Sequence, residues 1–275
     1  MKKAAALLLV FVFFAAGCDK RQLLTVPPTA IPGAAQAPNE ATPLTPAQSP
    51  SAVSLIFVED TNGTDDGVTR LIRSMLSRGL NFYQTPASPG GLIAPNAVII
   101  LKINAQWDER GGTNTDLIRA VIQAILDHPQ GFTGEIIVAD NGQAQFGSAP
   151  GGGGSLDWAR NNAVDEAQST LRVIRSFQLM GHRVTGVLWD NFTRSRVEEF
   201  RAGDMSDGFI VEDTIRSTGI TVSYPKFTTE FGTHVSFKEG IWNPSARTYN
   251  NDILKVINMP VLKSHRGFQV TAAVT

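Results

Sequence analysis

AVIILKIN, Ala97 to Asn104, is the stretch whose reading decides the fold. From Ala97 to Ile103 it is aliphatic except for Lys102. Side chains alternate between the two faces of a strand. An almost unbroken aliphatic run must therefore be covered on both, which is the pattern of a parallel sheet inside a layered fold. By the same alternation Lys102 and Asn104 leave the run on one face. Downstream, Glu135 to Ala139 and Val184 to Trp189 read as strands too, ending in Asp140-Asn141-Gly142 and Asp190-Asn191. Ile253 to Leu262 reads as one more buried strand, breaking abruptly into Lys263-Ser264-His265.

Helical stripes separate these strands. Thr113-Asn114-Thr115-Asp116 opens a helix whose apolar positions are Leu117, Ile118, Val121, Ile122, Ile125 and Leu126. Hydroxyl, amide and acid at a helix start satisfy its free N–H groups. His128-Pro129 closes it, and His128 is read as structural, favoured there by the helix dipole. Ala163 to Met180 is amphipathic through Val164, Ala167, Leu171, Ile174 and Phe177, and stops at Gly181. Earlier, Val53 to Val58 reads as a strand and Val68, Leu71, Ile72, Met75 and Leu76 as a helix stripe, with Thr64 or Asp65 as cap and Gly79 as stop. Phe209 to Val211 and Ile220 to Tyr224 are further strands. Thr233 to Lys238 alternates like an antiparallel or edge strand with His234 on a solvent face, and Ile241 to Asn251 is irregular, its Trp242 lining a cleft or packing. The alternation argues for an α/β fold: a mostly parallel sheet flanked by helices on both faces.

The chain's start has a different character. Met1 to Gly17 reads as an export signal, with Lys2 and Lys3 before an apolar run too short to span a bilayer. It ends in Ala15-Ala16-Gly17-Cys18, which resembles a bacterial lipoprotein lipobox; Ala15 stands where leucine is more usual. The resemblance implies cleavage before Cys18, lipidation of Cys18 with palmitate among its acyl chains, and anchoring to the outer face of a bacterial membrane in the cell envelope. Residues 18–52, rich in Pro, Ala, Thr and Gln, lack apolar periodicity and read as a disordered tether. Residues 53–275 then form a single α/β domain.

Cys18 is the only cysteine, so the mature chain has none for disulfides, clusters or thiol catalysis. Without Lys2 and Lys3, 22 of the 24 basic residues remain against 25 acidic ones, a formal charge of about −3. No basic run of the kind nucleic acid requires is present. The acidic loop Glu59 to Asp66 fails as an EF-hand, since Asp65 stands where glycine is needed. Gln143 to Ser155, with Gly151 to Gly154 consecutive, fails as a P-loop, because no Gly-Lys-Ser/Thr follows. It reads as a flap or linker.

In open α/β sheets ligands bind beyond the carboxyl ends of the strands. Four strand ends are polar here, and a parallel sheet would bring them to one rim. Lys263, His265 and Asp140 are the candidate acid–base set, with His265 carrying the proton. Lys102, Asn104, Thr113, Asn114, Asn141 and Asp190 are the candidate ligand-binding set, the two lysines taking anionic groups. Asp140, Asp190 and His265 as a metal cluster have no tight ligand spacing behind them, so no metal is assigned. Three classes stay open: an enzyme acting on a small anionic molecule, a non-catalytic surface lipoprotein binding a solute or envelope component, and a scaffold.

Several segments together resemble the bacterial and archaeal family called domain of unknown function 362: VIILKIN at Val98 to Asn104, TNTDLIRAVIQAIL at Thr113 to Leu126, EIIVADN at Glu135 to Asn141, and INMPVLKSH with GFQVTAAVT at Gly267 to Thr275. Pro260 through His265 is the most specific match. The resemblance implies an α/β fold with a cleft, and a family pattern that continues past Thr275. Ile103 replaces the family's proline between Lys102 and Asn104. Members with ferredoxin-type cysteine clusters have no counterpart here, so no iron–sulfur cluster is expected.

Overall fold

The computed structural model describes residues 8–10, 66–105, 112–141, 166–192, 195–215, 220–261, 263–265 and 269–271. Cys18, the tether, the strand expected at Val53 to Val58, the acidic loop as far as Asp65, and the glycine-rich stretch Gln143 to Ser155 lie outside these residues.

Strands β2 (Val98–Lys102), β3 (Glu135–Asp140), β4 (Val184–Leu188) and β10 (Leu254–Asn258) form one parallel sheet in the order β10-β2-β3-β4. A three-residue strand, β1 (Leu8–Val10), pairs parallel with the outer edge of β10. It falls inside the stretch read as the export signal. The expectation that separate strands run in one direction holds for all of these pairs.

Three helices, α1 (Asp66–Ser77), α2 (Thr115–Leu126) and α3 (Thr170–Leu179), bury their apolar stripes against one face. Ile118, Ile122 and Ile125 of α2 and Val173, Ile174 and Phe177 of α3 meet Ile99, Leu101, Ile136 and Val138 there. Gly79 and Gly181 stand just past α1 and α3 with φ of 78° and 86°, the left-handed geometry that lets a helix stop without a side-chain penalty.

The other face departs from expectation. Val98, Ile100, Ile137 and Ala139 pack not on helices but on Phe227, Val235 and Ile241 of a second sheet. This antiparallel sheet runs β5 (Gly208–Ile215), β6 (Ile220–Thr228), β7 (His234–Ser236), β8 (Gly240–Asn243) and β9 (Thr248–Asn250) in chain order. Connectivity explains it. The walk β2-β3-β4 with right-handed crossovers puts α2 and α3 on one side. The return from β4 to β10, on the far side of β2, must cross the opposite face, and the chain fills that crossover with a meander. Among the described residues the helices therefore cover one face and strands the other.

Three smaller readings change. Ile253 to Leu262 is not one strand: β10 ends at Asn258, and Lys263–His265 (β11) pairs antiparallel with Gln269–Thr271 (β12) in a separate ribbon. Pro260, which has no N–H to give a ladder, stands between them. Thr233 to Lys238 contains β7, which is antiparallel to both neighbours, as one of the two alternatives had it; it is the central strand of its sheet, so the edge alternative falls. Ile241 to Asn251 is a hairpin, in which the Asn243 side chain accepts from the N–H groups of Ser245 and Ala246. Trp242 packs, 7% exposed, with its ring 4.7 Å from that of Tyr249.

A candidate ligand-binding rim

The order β10-β2-β3-β4 reverses direction between β10 and β2, which makes that junction the topological switch point of the sheet. The chain leaving β2 is held there by a short relay. Lys102 O accepts from Met259 N at 2.8 Å, and Ile103 N donates to Ala139 O at 3.0 Å. Asn104 and Thr113 exchange bonds: Thr113 N donates to Asn104 O (2.9 Å), and Asn104 N donates to Thr113 Oγ1 (2.8 Å). Thr113 Oγ1 then donates to Met259 O at 2.7 Å. One hydroxyl, 1% exposed as a residue, thus spans the crevice between the two strand ends.

Beside it, Lys102 Nζ lies 2.6 Å from Asp140 Oδ1 and donates to Ile103 O at 3.2 Å. Asp140 Oδ2 accepts from Ala105 N at 2.6 Å. The Asp140 side chain is 5% exposed and that of Lys102 16%. The pair is asymmetric: the acid is more deeply buried than the lysine. Burial pushes the Asp140 carboxyl above the usual carboxylate range. The charge and hydrogen bond of Lys102, and the N–H groups of Ala105 and Asn141, oppose that rise.

Asn114 caps α2, its side chain accepting from Asp116 N at 3.0 Å. Ser169 caps α3 in the same way, accepting from Arg172 N at 3.4 Å. Both helices follow strands of the parallel sheet and so begin at the carboxyl rim, presenting positive dipole ends there. Asn141 is exposed directly after β3, and Asp190 is half-buried in a single 3₁₀ turn, Trp189–Phe192, that follows β4.

The rim therefore collects Lys102, Asn104, Thr113, Asn114, Asp140, Asn141 and Asp190. Lys263 and His265 are on the separate ribbon, and their side chains lie outside the described residues. Among the described residues no group of three or more His, Cys, Asp or Glu is arranged to hold a metal ion, and no helix is long and apolar enough to cross a membrane.

Two histidines are settled by geometry. His128 is 3% exposed, with Nε2 lying 3.1 Å from both Gln84 O and Ile93 O and Nδ1 accepting from Gln130 N. Two carbonyls against one nitrogen and an N–H against the other identify the neutral Nε2–H tautomer in a structural role. His234 is not on a solvent face. It is half-buried, bonded through Nδ1 to Thr228 Oγ1 (2.9 Å), with its ring 5.1 Å from that of Phe200.

Two buried charges escaped sequence reasoning. Glu135, the first residue of β3, accepts from Arg183 (2.9 Å), Thr185 (2.7 Å) and Thr233 (2.6 Å), tying the parallel sheet to the turn between β6 and β7. The Lys226 side chain is 0% exposed; Nζ donates to Ser206 O at 2.7 Å and lies 4.3 Å from the centre of the Phe200 ring. Burial lowers its pKa, with Asp204, Glu199 and Asp207 pulling the other way. Its only sequence signal was a cation at an alternating position between Tyr224 and Thr228.

Compared with protein-family models, with curated proteins and with solved structures, the chain has no match. The resemblance to domain of unknown function 362 accordingly rests on the quoted motifs alone.

Proposed function

We propose that this chain is a lipid-anchored protein of the bacterial cell envelope that binds a small anionic molecule at the carboxyl rim of its parallel sheet. The observation that carries the reading is the Lys102–Asp140 pair beside the switch point. The buried carboxylate fixes the lysine, and the lysine keeps donor capacity toward the rim. Two helix starts add partial positive charge on the same side. Residues 1–17 serve as signal, Cys18 as lipid attachment and 18–52 as tether, so that the domain stands off the membrane.

Binding is favoured over acid–base turnover by the state of Asp140. Each of its oxygens already accepts a hydrogen bond, and the residue is 3% exposed. It acts through Lys102 and not on a substrate. An enzyme reading needs Lys263 and His265 to supply the proton chemistry.

The test is a thermal-shift series on the full chain with small carboxylates and with inorganic and organic phosphates, since a ligand that binds only the folded state raises Tm with its concentration. One of these anions raises Tm in the wild type and leaves Lys102→Met unmoved. A series with no shift for any anion ends the binding reading. Turnover that disappears in Lys263→Ala and His265→Ala would move the protein to the enzyme class. Loss of metabolic palmitate labelling in Cys18→Ser tests the anchor separately.

A further inference from the structure

The outer edge of β4 is a built groove. It holds about 350 Å³, within the range of roughly 300–1,000 Å³ usual for ligand clefts. Its floor is β4 itself, the last strand of the parallel sheet. One wall is α3, through Ile174, Arg175 and Gln178; the other is the end of β6 and the turn after it, through Phe227 and Glu230, with Asp207 beside them.

The backbone of the floor has a definite polarity. Ile136 N donates to Arg183 O, so the groups of Arg183, Thr185 and Val187 face β3. Alternation turns those of Val184, Gly186 and Leu188 outward. Val184 O is already taken by Gln178 Nε2 at 2.7 Å, and the same amide group reaches the Glu230 carboxylate. That bridge closes one end of the edge and leaves Gly186 at the open part. Val184 and Leu188 point into the core shared with α3. Gly186 has the same orientation without a side chain, which gives the groove depth under the helix.

We propose that this groove takes a short extended peptide carrying lysine or arginine, added as a further strand beside β4. Among the described residues no strand pairs with β4 on this side; such an edge offers main-chain hydrogen bonds to an added segment, and flanking pockets select alternate side chains. The walls set the charge. Arg175 is drawn to Gln178 Oε1 at 3.3 Å, whereas Asp207 and Glu230 bring two carboxylates to the opposite wall. A second copy of this chain fits less well, because its own β4 edge is recessed between the same two walls, and the walls would meet before the strands. The proposal is independent of the rim described above.

The test is fluorescence anisotropy of labelled Val-Lys-Val-Lys-Val-Lys, and of the matched glutamate peptide, titrated with the full chain. The lysine peptide binds, and the glutamate peptide binds at least about tenfold more weakly. Gly186→Val, which fills the floor with a side chain suited to a strand, removes binding. Asp207→Asn keeps the acceptor for Thr228 N and weakens the lysine peptide selectively, so the proposal is testable even if the first variant does not fold. Equal binding of both peptides, or wild-type binding by Asp207→Asn, overturns it. So does a dimer by light scattering that Gly186→Val converts to a monomer, since the groove would then belong to a second copy.

Discussion

The Thr113 hydroxyl donates to the Met259 carbonyl over 2.7 Å, joining residues 146 positions apart in the chain. The same oxygen accepts from Asn104 N, so one side chain fixes both lips of the switch-point crevice. Thr113→Val keeps the shape and removes both bonds, leaving a donor and an acceptor unmet in a dry place. The expected loss is about 1–3 kcal/mol, read as a fall in the urea midpoint at unchanged m-value. An unaltered midpoint would show that water replaces the hydroxyl.

Asp140 makes stability depend on pH in a definite direction. Its folded pKa is raised by burial, so between its ordinary value and the raised one the folded state holds a proton that the unfolded chain has released. Stability then falls as pH rises through that window. Asp140→Asn removes this slope, so wild type gains stability relative to the variant on acidification toward the ordinary carboxylate value. Urea titrations at stepped pH measure it; parallel curves would contradict the raised pKa.

Lys226 works at the alkaline end. Its folded pKa is lowered by burial, so as pH climbs it loses its proton in the folded state while the unfolded chain still holds one. Stability gains a favourable increment as pH rises from the folded pKa toward the usual lysine value. Lys226→Met lacks that increment. Melting curves from neutral pH to about 10 compare the two, and an identical alkaline trend would mean the ammonium is better solvated than its surroundings imply.

Gly134, just before β3, has no room for a side chain. A Cβ there would sit 1.8 Å from the Ala97 carbonyl oxygen, a backbone atom that moves only with β2. Gly134→Ala should cost about 1–3 kcal/mol or more through forced displacement, seen as a lower Tm. A neutral result would mean the loop from His128 to Gly134 shifts freely.

Periodicity made the parallel core legible. Val98–Lys102, Glu135–Asp140 and Val184–Leu188 are the runs a doubly covered strand requires, and α2 opens where Thr113-Asn114-Thr115-Asp116 indicates. What covered the second face was legible only in pieces. Phe209 to Val211, Ile220 to Tyr224 and Thr233 to Lys238 read as strands. But β8 and β9, four and three residues long, are too short to show a period, and nothing in the sequence joined the pieces into one sheet. The rim was readable as a list of polar strand ends, but not as a pairing. That Lys102 meets Asp140 follows from neighbouring strands in register, Lys102 opposite Ala139. An apolar run through Pro260 looks continuous in sequence, whereas β10 ends at Asn258 and Lys263 opens a separate ribbon, its side chain lying outside the described residues.

The meander inserted between β4 and β10 also sets an order of events during folding. β2 is flanked by β3 early, yet its other side waits for Leu254–Asn258, made only after the whole antiparallel sheet. Pairings so distant along the chain are slow to form. A nascent or truncated polypeptide ending before β10 carries β2 with one side bare, and such unpaired strands invite aggregation. The closure that brings Met259 to Thr113 must wait for β10, so the anion binding proposed for the rim should return late on refolding, after most of the helical structure.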